Sequence, residues 1–117
     1  YGDGLQERDW IYVKDNCEGI LAAIKYFRSP DRPFEECIFN IGEDKTTTNL
    51  DIITKLCLIL DKDPKDVIEF VTDRPGHDRR YAIDCSRAKR ELEWFAKMPL
   101  DIGLVKTIEW YKTFWSK

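Results

Sequence analysis

The sequence predicts an α/β protein, and two features of the 117-residue chain support this prediction. Short runs rich in aromatic and β-branched residues alternate with longer runs whose apolar residues recur every three or four positions. About four of the short runs have the composition of strands, which is few for a self-sufficient doubly wound sheet. We therefore expect some of these strands to extend a sheet supplied by other residues.

The first elements are a glycine-rich turn, a strand and an amphipathic helix. The turn YGDG spans residues 1–4, and the run RDWIYV predicts a strand over 8–13. Asp15 is the expected N-cap of a helix that ends near residue 28. The apolar positions of this helix predict one buried stripe, formed by Cys17, Ile20, Leu21, Ile24 and Phe27.

The middle of the chain is expected to hold a second strand and a second helix. After a loop over 29–33, the run ECIFNI predicts a strand over 36–41, which Gly42 ends. A polar loop over 43–48 follows, and Thr48 is the expected N-cap of a helix over 49–61. The residues expected to be buried on this helix are Ile52, Ile53, Leu56, Cys57 and Leu60.

The last part of the chain predicts two strands and three helical segments. Pro64 opens a short helical turn, and IEFV predicts a strand over 68–71. A charged turn leads to an extended segment over 80–83 and then to a helix, capped by Asp84 or Ser86, that reaches residue 94. After Pro99, a final helix over 100–115 is expected to present Leu104, Thr107, Ile108, Tyr111 and Trp115 on one face.

Composition excludes several classes of function. Hydrophobic residues make up 43% and charged residues 35% of the chain, which is typical of one globular domain over residues 1–117. The net charge of −3 argues against nucleic acid as the main partner. No apolar run approaches the roughly 20 residues that a membrane span requires, and no signal peptide is visible, so we expect a cytoplasmic protein without a membrane partner. The start at Tyr1, without an initiator Met, suggests a piece of a longer protein.

The cysteines do not indicate a metal site. None of the four forms a CxxC pair or lies near the single histidine, so no metal is expected. We expect reduced thiols, buried where they fall on apolar helix faces. The cysteines are Cys17, Cys37, Cys57 and Cys85.

The segment TDRPGHDRRY, over 72–81, concentrates charge on a turn. It contains three arginines and the only histidine of the chain around a Pro-Gly pair. A guanidinium suits phosphate because its planar donors can bond two oxygens at once, so Arg74 and His77 are candidates for an anion site. A charged loop that is solvated, or paired internally through Asp73 and Asp78, is the other interpretation, and both remain open on the residues alone.

Two further polar residues are candidates for binding. Arg8 opens an apolar strand after the glycine-rich turn, and its alternative role is a surface pair with Glu7 or Asp9. Asn49 lies at the start of a helix, where unpaired backbone N–H groups and the helix dipole favour an anion. Its alternative role is simple capping. No set of residues predicts catalysis, because a nucleophile elbow, a GxGxxG motif and a Walker loop are all absent.

Taken together, these segments resemble a known family in order and spacing. YGDGLQERDWIYVKDN, FNIGEDKTTTNLDI, DRPGHDRRYAID, RELEW and TIEWY are similar to the C-terminal third of the dTDP-glucose 4,6-dehydratases, which are extended short-chain dehydrogenases/reductases. One departure is Glu93, where the family usually has Gly in an LGW sequence. The resemblance implies the substrate-binding part of a Rossmann-type enzyme, with few short strands and about four helices.

The resemblance also implies a function and a set of site residues. In such enzymes an N-terminal Rossmann domain holds NAD, and a Tyr-x-x-x-Lys pair helps convert dTDP-glucose to dTDP-4-keto-6-deoxyglucose and water. Both the NAD fingerprint and Tyr-x-x-x-Lys are missing here, so the chain is expected to bind no NAD and to be inactive alone, with no catalytic residues of its own. The full enzyme is expected to be a homodimer. The residues expected to bind the dTDP-sugar are Tyr1, Arg8, Asn49, Asp73, Arg74, Pro75, Gly76 and His77.

Three hypotheses about the function follow from this resemblance and from the motifs that the chain lacks. The first is the nucleotide-sugar-binding portion of a 4,6-dehydratase. The second is the corresponding part of a nucleotide-sugar epimerase or decarboxylase, because those enzymes share the YGDG and NIG-like segments. The third is a non-catalytic α/β interaction module. In an isolated fragment the strands near RDWIYV and IFNI would leave apolar faces open, so self-association is expected.

Overall fold

The computed structural model describes residues 1–28 and 38–115. Strands and helices alternate along these residues, which confirms the predicted α/β class. The described residues form five helices and three strands, where the sequence predicted about four of each. The elements are β1 (Glu7–Asp9), α1 (Val13–Phe27), β2 (Thr46–Thr48), α2 (Asn49–Ile59), α3 (Pro64–Val67), β3 (Arg80–Tyr81), α4 (Ser86–Glu91) and α5 (Leu100–Trp115).

The sheet has three strands in the order β2-β1-β3. β1 pairs antiparallel with β2, so that Arg8 faces Thr47, and parallel with β3, so that Arg8 faces Tyr81. β2 occupies half of the predicted polar loop, because its threonines complete a ladder with β1 and Trp10 donates a hydrogen bond to the Thr47 carbonyl at 3.2 Å. The charged turn over 72–79 leads directly into β3 and therefore lies beside β1.

Several predicted strands are wrong or too long. β1 ends at Asp9, whereas the predicted strand reached residue 13. Val13 is instead the first residue of α1. Residues 68–71 form no strand, and neither do 38–41, which pair with no other described strand. The rest of that predicted strand, 36–37, and the predicted loop over 29–33 lie outside the described residues. An apolar run needs a partner with free N–H and C=O groups to become a strand, and the described residues supply none here.

Asp15 does not cap α1, which begins at Val13 with Tyr12 as its N-cap residue. The Asp15 side chain is buried, and its Oδ2 accepts hydrogen bonds from the backbone N–H groups of Lys97, at 3.0 Å, and Met98, at 2.8 Å. Asp15 therefore joins α1 to the segment before α5. A carboxylate in this position satisfies two backbone donors that would otherwise lack a partner.

The buried face of α1 is the opposite of the predicted one. The face against the rest of the protein carries Asp15 and Gly19, whereas the whole predicted stripe is exposed to solvent. A Cβ at Gly19 would lie 2.8 Å from Ile41 Cγ2 and 3.0 Å from Trp94 Cε2, so only glycine permits this close packing. The exposed stripe consists of Cys17, Ile20, Leu21, Ile24 and Phe27.

The other helices follow the predictions more closely. Thr48 caps α2, since its Oγ1 accepts from the Asp51 N–H at 3.0 Å. α3 begins at Pro64, and α5 spans Leu100–Trp115, as predicted. The predicted N-cap of α4 is wrong, because the helix begins at Ser86 and its N-cap residue is Cys85. Asp84 Oδ1 accepts from the Ser86 N–H at 2.8 Å, and α4 ends at Glu91 instead of residue 94.

Burial on these helices is only partly as predicted. On α2, Ile52 and Cys57 are buried and Leu56 is half-buried, while Ile53 and Leu60 are exposed. On α5 the predicted face is half-buried at Leu104, Thr107 and Ile108 and exposed at Tyr111 and Trp115. The predicted burial of the thiols is correct for Cys57 and Cys85, wrong for Cys17, and not described for Cys37. Burial raises the pKa of the Cys85 thiol.

α4 is followed by Leu92 and then by Glu93, the position at which the sequence departs from the family pattern. Its φ is +52°, in the left-handed region that favours glycine. The chain there has the geometry of a helix C-terminus, with the Trp94 N–H donating to the Ala88 carbonyl at 3.4 Å. A glycine in related sequences would fit this backbone without strain.

The molecule is flat, and much of its apolar surface faces solvent. It measures 56 × 39 × 22 Å and has a radius of gyration of 17.4 Å, whereas a compact domain of this length has one of roughly 13 Å. Among the described residues the buried apolar core is correspondingly small and consists of Ile52, Cys57, Cys85, Ala88 and Trp94. In the described ranges, no helix combines the length and the apolar character needed to cross a bilayer.

Candidate functional site

All the predicted site residues except Asp73 line one of two neighbouring pockets. The first, which we call the arginine pocket, has a volume of about 270 Å³ and is lined by Arg8, Arg74, Pro75, Gly76, His77 and Asp78. The second, which we call the aromatic pocket, has a volume of about 320 Å³; its lining includes Tyr1, Trp10, Asn49 and Phe70. The two pockets meet where the Arg74 guanidinium lies over the Tyr1 ring, 5.0 Å from its centroid.

Arg8 reaches the charged turn because β1 and β3 are parallel neighbours. The Glu7 N–H donates to the Arg79 carbonyl at 2.9 Å and so fixes the end of the turn beside Arg8. Arg8 Nη2 lies 3.0 Å from His77 Nε2 and donates to the Asp78 carbonyl at 3.0 Å, while Nη1 donates to the Glu7 carbonyl. A guanidinium has five N–H donors. Arg8 therefore keeps its Nε–H and one Nη1–H without a partner among the described residues.

The turn itself is built from Pro75 and Gly76. The His77 N–H donates to the Arg74 carbonyl at 3.2 Å, and Gly76 has a φ of +70°. These features, with Pro at the second position, define a type II turn. A Cβ at Gly76 would meet no atom within 4 Å, so the glycine serves the backbone conformation and leaves the pocket open.

The arginines of the segment divide into two classes. Arg79 donates to both carboxylate oxygens of Asp3, at 2.7 and 2.9 Å, and Arg80 pairs with Glu7 at 3.1 Å. These partners differ from Asp73 and Asp78, which the sequence suggested. The Arg74 guanidinium, in contrast, has no hydrogen-bond or salt-bridge partner within the described ranges. It is therefore a cation that is available to a ligand.

Asp73 holds the turn from behind the pocket. Its Oδ1 accepts from the Arg74 N–H at 2.9 Å and lies 2.7 Å from His77 Nδ1, and its Oδ2 accepts from Gln6 Nε2 at 3.0 Å. The hydrogen bond with His77, followed by that from the Arg74 backbone, lowers the pKa of the Asp73 carboxyl. Gln6 is buried, with 2% of its surface exposed. The sequence did not predict a role for this side chain, because a single glutamine in LQERDW belongs to no recognisable motif.

Asn49 contributes its side chain to the aromatic pocket, but not the free helix N-terminus that we expected. The Asn49 N–H donates to the Gln6 carbonyl at 3.0 Å and the Leu50 N–H to the Gly4 carbonyl at 2.9 Å, while Thr48 takes the Asp51 N–H. The first donors of α2 are therefore occupied. The Asn49 side-chain amide has no partner among the described residues and is the remaining polar group for a ligand.

This arrangement suits binding more than catalysis. Two cationic groups with free N–H donors adjoin an apolar pocket with an aromatic ring, and no nucleophile is paired with a base around them. The described part of the chain has no group of three His, Cys, Asp or Glu residues able to hold a metal. Among the described helices, none starts directly after a glycine-rich turn.

Comparison with known sequences shows the family. The sequence profile of the GDP-mannose 4,6 dehydratase family matches residues 1–107. The chain belongs to this family. It is 38% identical to a dTDP-glucose 4,6-dehydratase of Xanthomonas campestris pv. campestris, over 97% of this chain and 33% of the relative. It is 40% identical to a probable dTDP-glucose 4,6-dehydratase of Sinorhizobium fredii, over 95% of this chain and 32% of the relative.

Comparison with solved structures shows a similar fold over nearly the whole chain. The crystal structure of dTDP-glucose 4,6-dehydratase from Bacillus anthracis in complex with NAD matches with a TM-score of 0.77 and 39% identity, over 97% of this chain and 33% of that one. The dTDP-glucose 4,6-dehydratase DesIV from Streptomyces venezuelae matches with a TM-score of 0.82 and 32% identity, over the same shares. UDP-glucose 4-epimerase from Thermotoga maritima matches with a TM-score of 0.78 and 31% identity, over 98% and 34%.

These matches confirm the predicted fold class and the resemblance to the C-terminal part of longer enzymes. The structural neighbours are extended short-chain dehydrogenases/reductases, and the chain corresponds to their C-terminal part. The chain spans about a third of the length of the curated relatives it matches.

Proposed function

We propose that the chain is the nucleotide-sugar-binding portion of a dTDP-glucose 4,6-dehydratase. The full enzyme converts dTDP-glucose to dTDP-4-keto-6-deoxyglucose and water. One observation carries the proposal: Arg8 and Arg74 have guanidinium N–H groups without partners among the described residues, and both line one pocket. A diphosphate supplies the charge and the oxygen acceptors that these donors lack.

Each predicted residue has a role in this proposal. The diphosphate binds between Arg8 and Arg74 in the arginine pocket, with Pro75 and Gly76 leaving room for it. Tyr1 and the apolar lining of the aromatic pocket receive the base, since a pyrimidine stacks on an aromatic ring. The Asn49 amide supplies a hydrogen bond there. Asp73 and His77 shape the turn that carries Arg74.

The reaction requires parts that this chain does not contain. We propose that NAD and the Tyr-x-x-x-Lys pair belong to an N-terminal Rossmann domain, so that residues 1–117 bind substrate but do not turn it over alone. The solved neighbour from Bacillus anthracis contains NAD, which supports NAD in the full enzyme. A cytoplasmic homodimer remains part of this proposal.

A second candidate is the same portion of a UDP-sugar epimerase. The match to UDP-glucose 4-epimerase, at 31% identity and a TM-score of 0.78, favours it as the alternative. Both candidates use the arginine pocket in the same way. They differ in the base and sugar, so a comparison of dTDP with UDP discriminates between them.

Calorimetric titration of the chain with dTDP, UDP and thymidine tests the proposal. We expect saturable dTDP binding, weaker binding of UDP, and little binding of thymidine, which lacks the phosphates. Arg8→Ala should weaken dTDP binding by about tenfold or more, because a charged hydrogen bond is lost. Arg80→Ala is the matched control, since Glu7 already holds that guanidinium.

Two results count against the proposal. Equal affinity for thymidine and dTDP would remove the diphosphate from the site. Tighter binding of UDP than of dTDP would replace the leading candidate by the epimerase.

A further inference from the structure

We propose that His77 is a positioning residue for Arg8, fixed in its neutral Nδ1–H tautomer by Asp73 so that the Nε2 lone pair accepts a hydrogen bond from the Arg8 guanidinium. The functional consequence rests on the proposed function, because Arg8 is the group that binds the diphosphate. The tautomer itself does not depend on that function.

The contacts of the imidazole determine which nitrogen carries the proton. Arg8 has donors and no acceptor, so His77 Nε2, at 3.0 Å from Arg8 Nη2, must be the acceptor. The proton then lies on Nδ1, which donates to Asp73 Oδ1 at 2.7 Å. The second oxygen of that carboxylate accepts from the buried Gln6 amide at 3.0 Å. A continuous chain of hydrogen bonds thus runs from Gln6 to Arg8.

Burial excludes a direct contact of the ring nitrogens with a ligand. The His77 side chain is only 6% exposed, and both of its nitrogens are occupied by Asp73 and Arg8. The imidazole also keeps Arg8 in place, because the two Nη2 hydrogens bind His77 and the Asp78 carbonyl. The unused Nε–H and Nη1–H of Arg8 are therefore held in one orientation before a ligand arrives. Such preorganisation raises affinity by reducing the ordering that binding requires.

Protonation of His77 would break this arrangement. The groups that face the imidazole are Asp73 and Arg74 from the turn, Arg8 and the Asp78 carbonyl, and the Tyr1 ring at 6.4 Å. A second proton on the ring would set an N–H against the Arg8 N–H and place two cations in contact. Arg8 would then lose its fixed orientation. The contact between His77 and Arg8 therefore requires the neutral ring.

Nitrogen-15 NMR of the free chain tests the tautomer. His77 is the only histidine, so selective labelling gives signals from one imidazole. Long-range proton–nitrogen correlation at pH 7.5 should show a protonated Nδ1 and an unprotonated Nε2. A proton on Nε2, whether in the other neutral tautomer or in the doubly protonated ring, would overturn the proposal without any nucleotide being present.

Two substitutions test the positioning role. His77→Gln places a carbonyl oxygen near the Nε2 position and keeps an acceptor for Arg8, whereas His77→Asn places an amide near Nδ1 and loses that acceptor. We expect the dTDP dissociation constant to rise less than about threefold in His77→Gln and about tenfold in His77→Asn.

The outcomes separate this inference from the proposed function. Equal losses of dTDP affinity in the two variants would refute the positioning role. If the native chain binds no dTDP at all, the proposed function fails, and the NMR measurement still decides whether the hydrogen-bond chain exists.

Discussion

Arg74→Ala is the most direct perturbation of the arginine pocket. Its guanidinium forms no hydrogen bond with any described residue and lies 5.0 Å from the Tyr1 ring centroid. Its removal therefore costs the fold at most an exposed cation–π contact of about 0.5–1 kcal/mol. In the complex, the same change removes charged hydrogen bonds to the diphosphate, about 1.5–3 kcal/mol, which corresponds to about a 10- to 150-fold higher dissociation constant.

The assay is isothermal titration of dTDP into purified variants, with thermal melting as a check on folding. Arg79→Ala is the matched control, because this neighbouring guanidinium is already bound to Asp3; we expect its affinity to change less than about twofold. Arg74→Lys should fall between the two, since it keeps the charge and loses the planar fork. Equal weakening in Arg74→Ala and Arg79→Ala would indicate a general charge effect and would refute the specific role of Arg74.

Four further changes test other features. Asp15→Ala should lower the free energy of unfolding by about 2–4 kcal/mol in thermal melts, because two backbone N–H groups lose their acceptor, and Asp15→Asn should cost less than half as much; equal costs would contradict this account. Glu93→Gly should raise stability by about 1 kcal/mol by relieving the positive φ, and a destabilised variant would exclude that strain. Asn49→Ala should weaken dTDP binding about fivefold at an unchanged melting temperature, whereas unchanged affinity would remove Asn49 from the site. The pKa of Glu91, lowered from 4.5 to about 2 mainly by the Tyr26 hydroxyl, predicts stability that is complete above pH 4.5 and lost as the pH falls towards 2. Tyr26→Phe should reduce that loss, and an unaltered pH profile would contradict the assignment.

Local signals in the sequence predicted the starts of three helices. Thr48, Pro64 and Pro99 act within one turn of chain, so the starts of α2, α3 and α5 follow from them directly. The buried face of α1 was not predictable in this way. The spacing of the apolar residues correctly predicts that α1 has an apolar face and a polar face. The other described residues, however, pack against the face of Asp15 and Gly19, and the apolar face is exposed to solvent.

The site was predictable only in part. Arg8, Arg74 and His77 do line one pocket, as their order in the resemblance implied. The resemblance did not show that Gln6 is buried beneath the turn or that the first N–H groups of α2 are occupied. Both features depend on backbone hydrogen bonds between the segment before β1 and the start of α2. These hydrogen bonds join residues that are more than 40 positions apart in the sequence.

The flat shape has a consequence for how the chain should unfold. The heat capacity of unfolding and the denaturant slope both grow with the surface newly exposed, and a compact domain has a heat capacity change of about 12–15 cal/mol/K per residue. This chain already exposes Ile20, Leu21, Ile24 and Phe27 while folded. Both quantities should therefore fall below the values typical of its length, and its transition should be broad even where the native state is well populated.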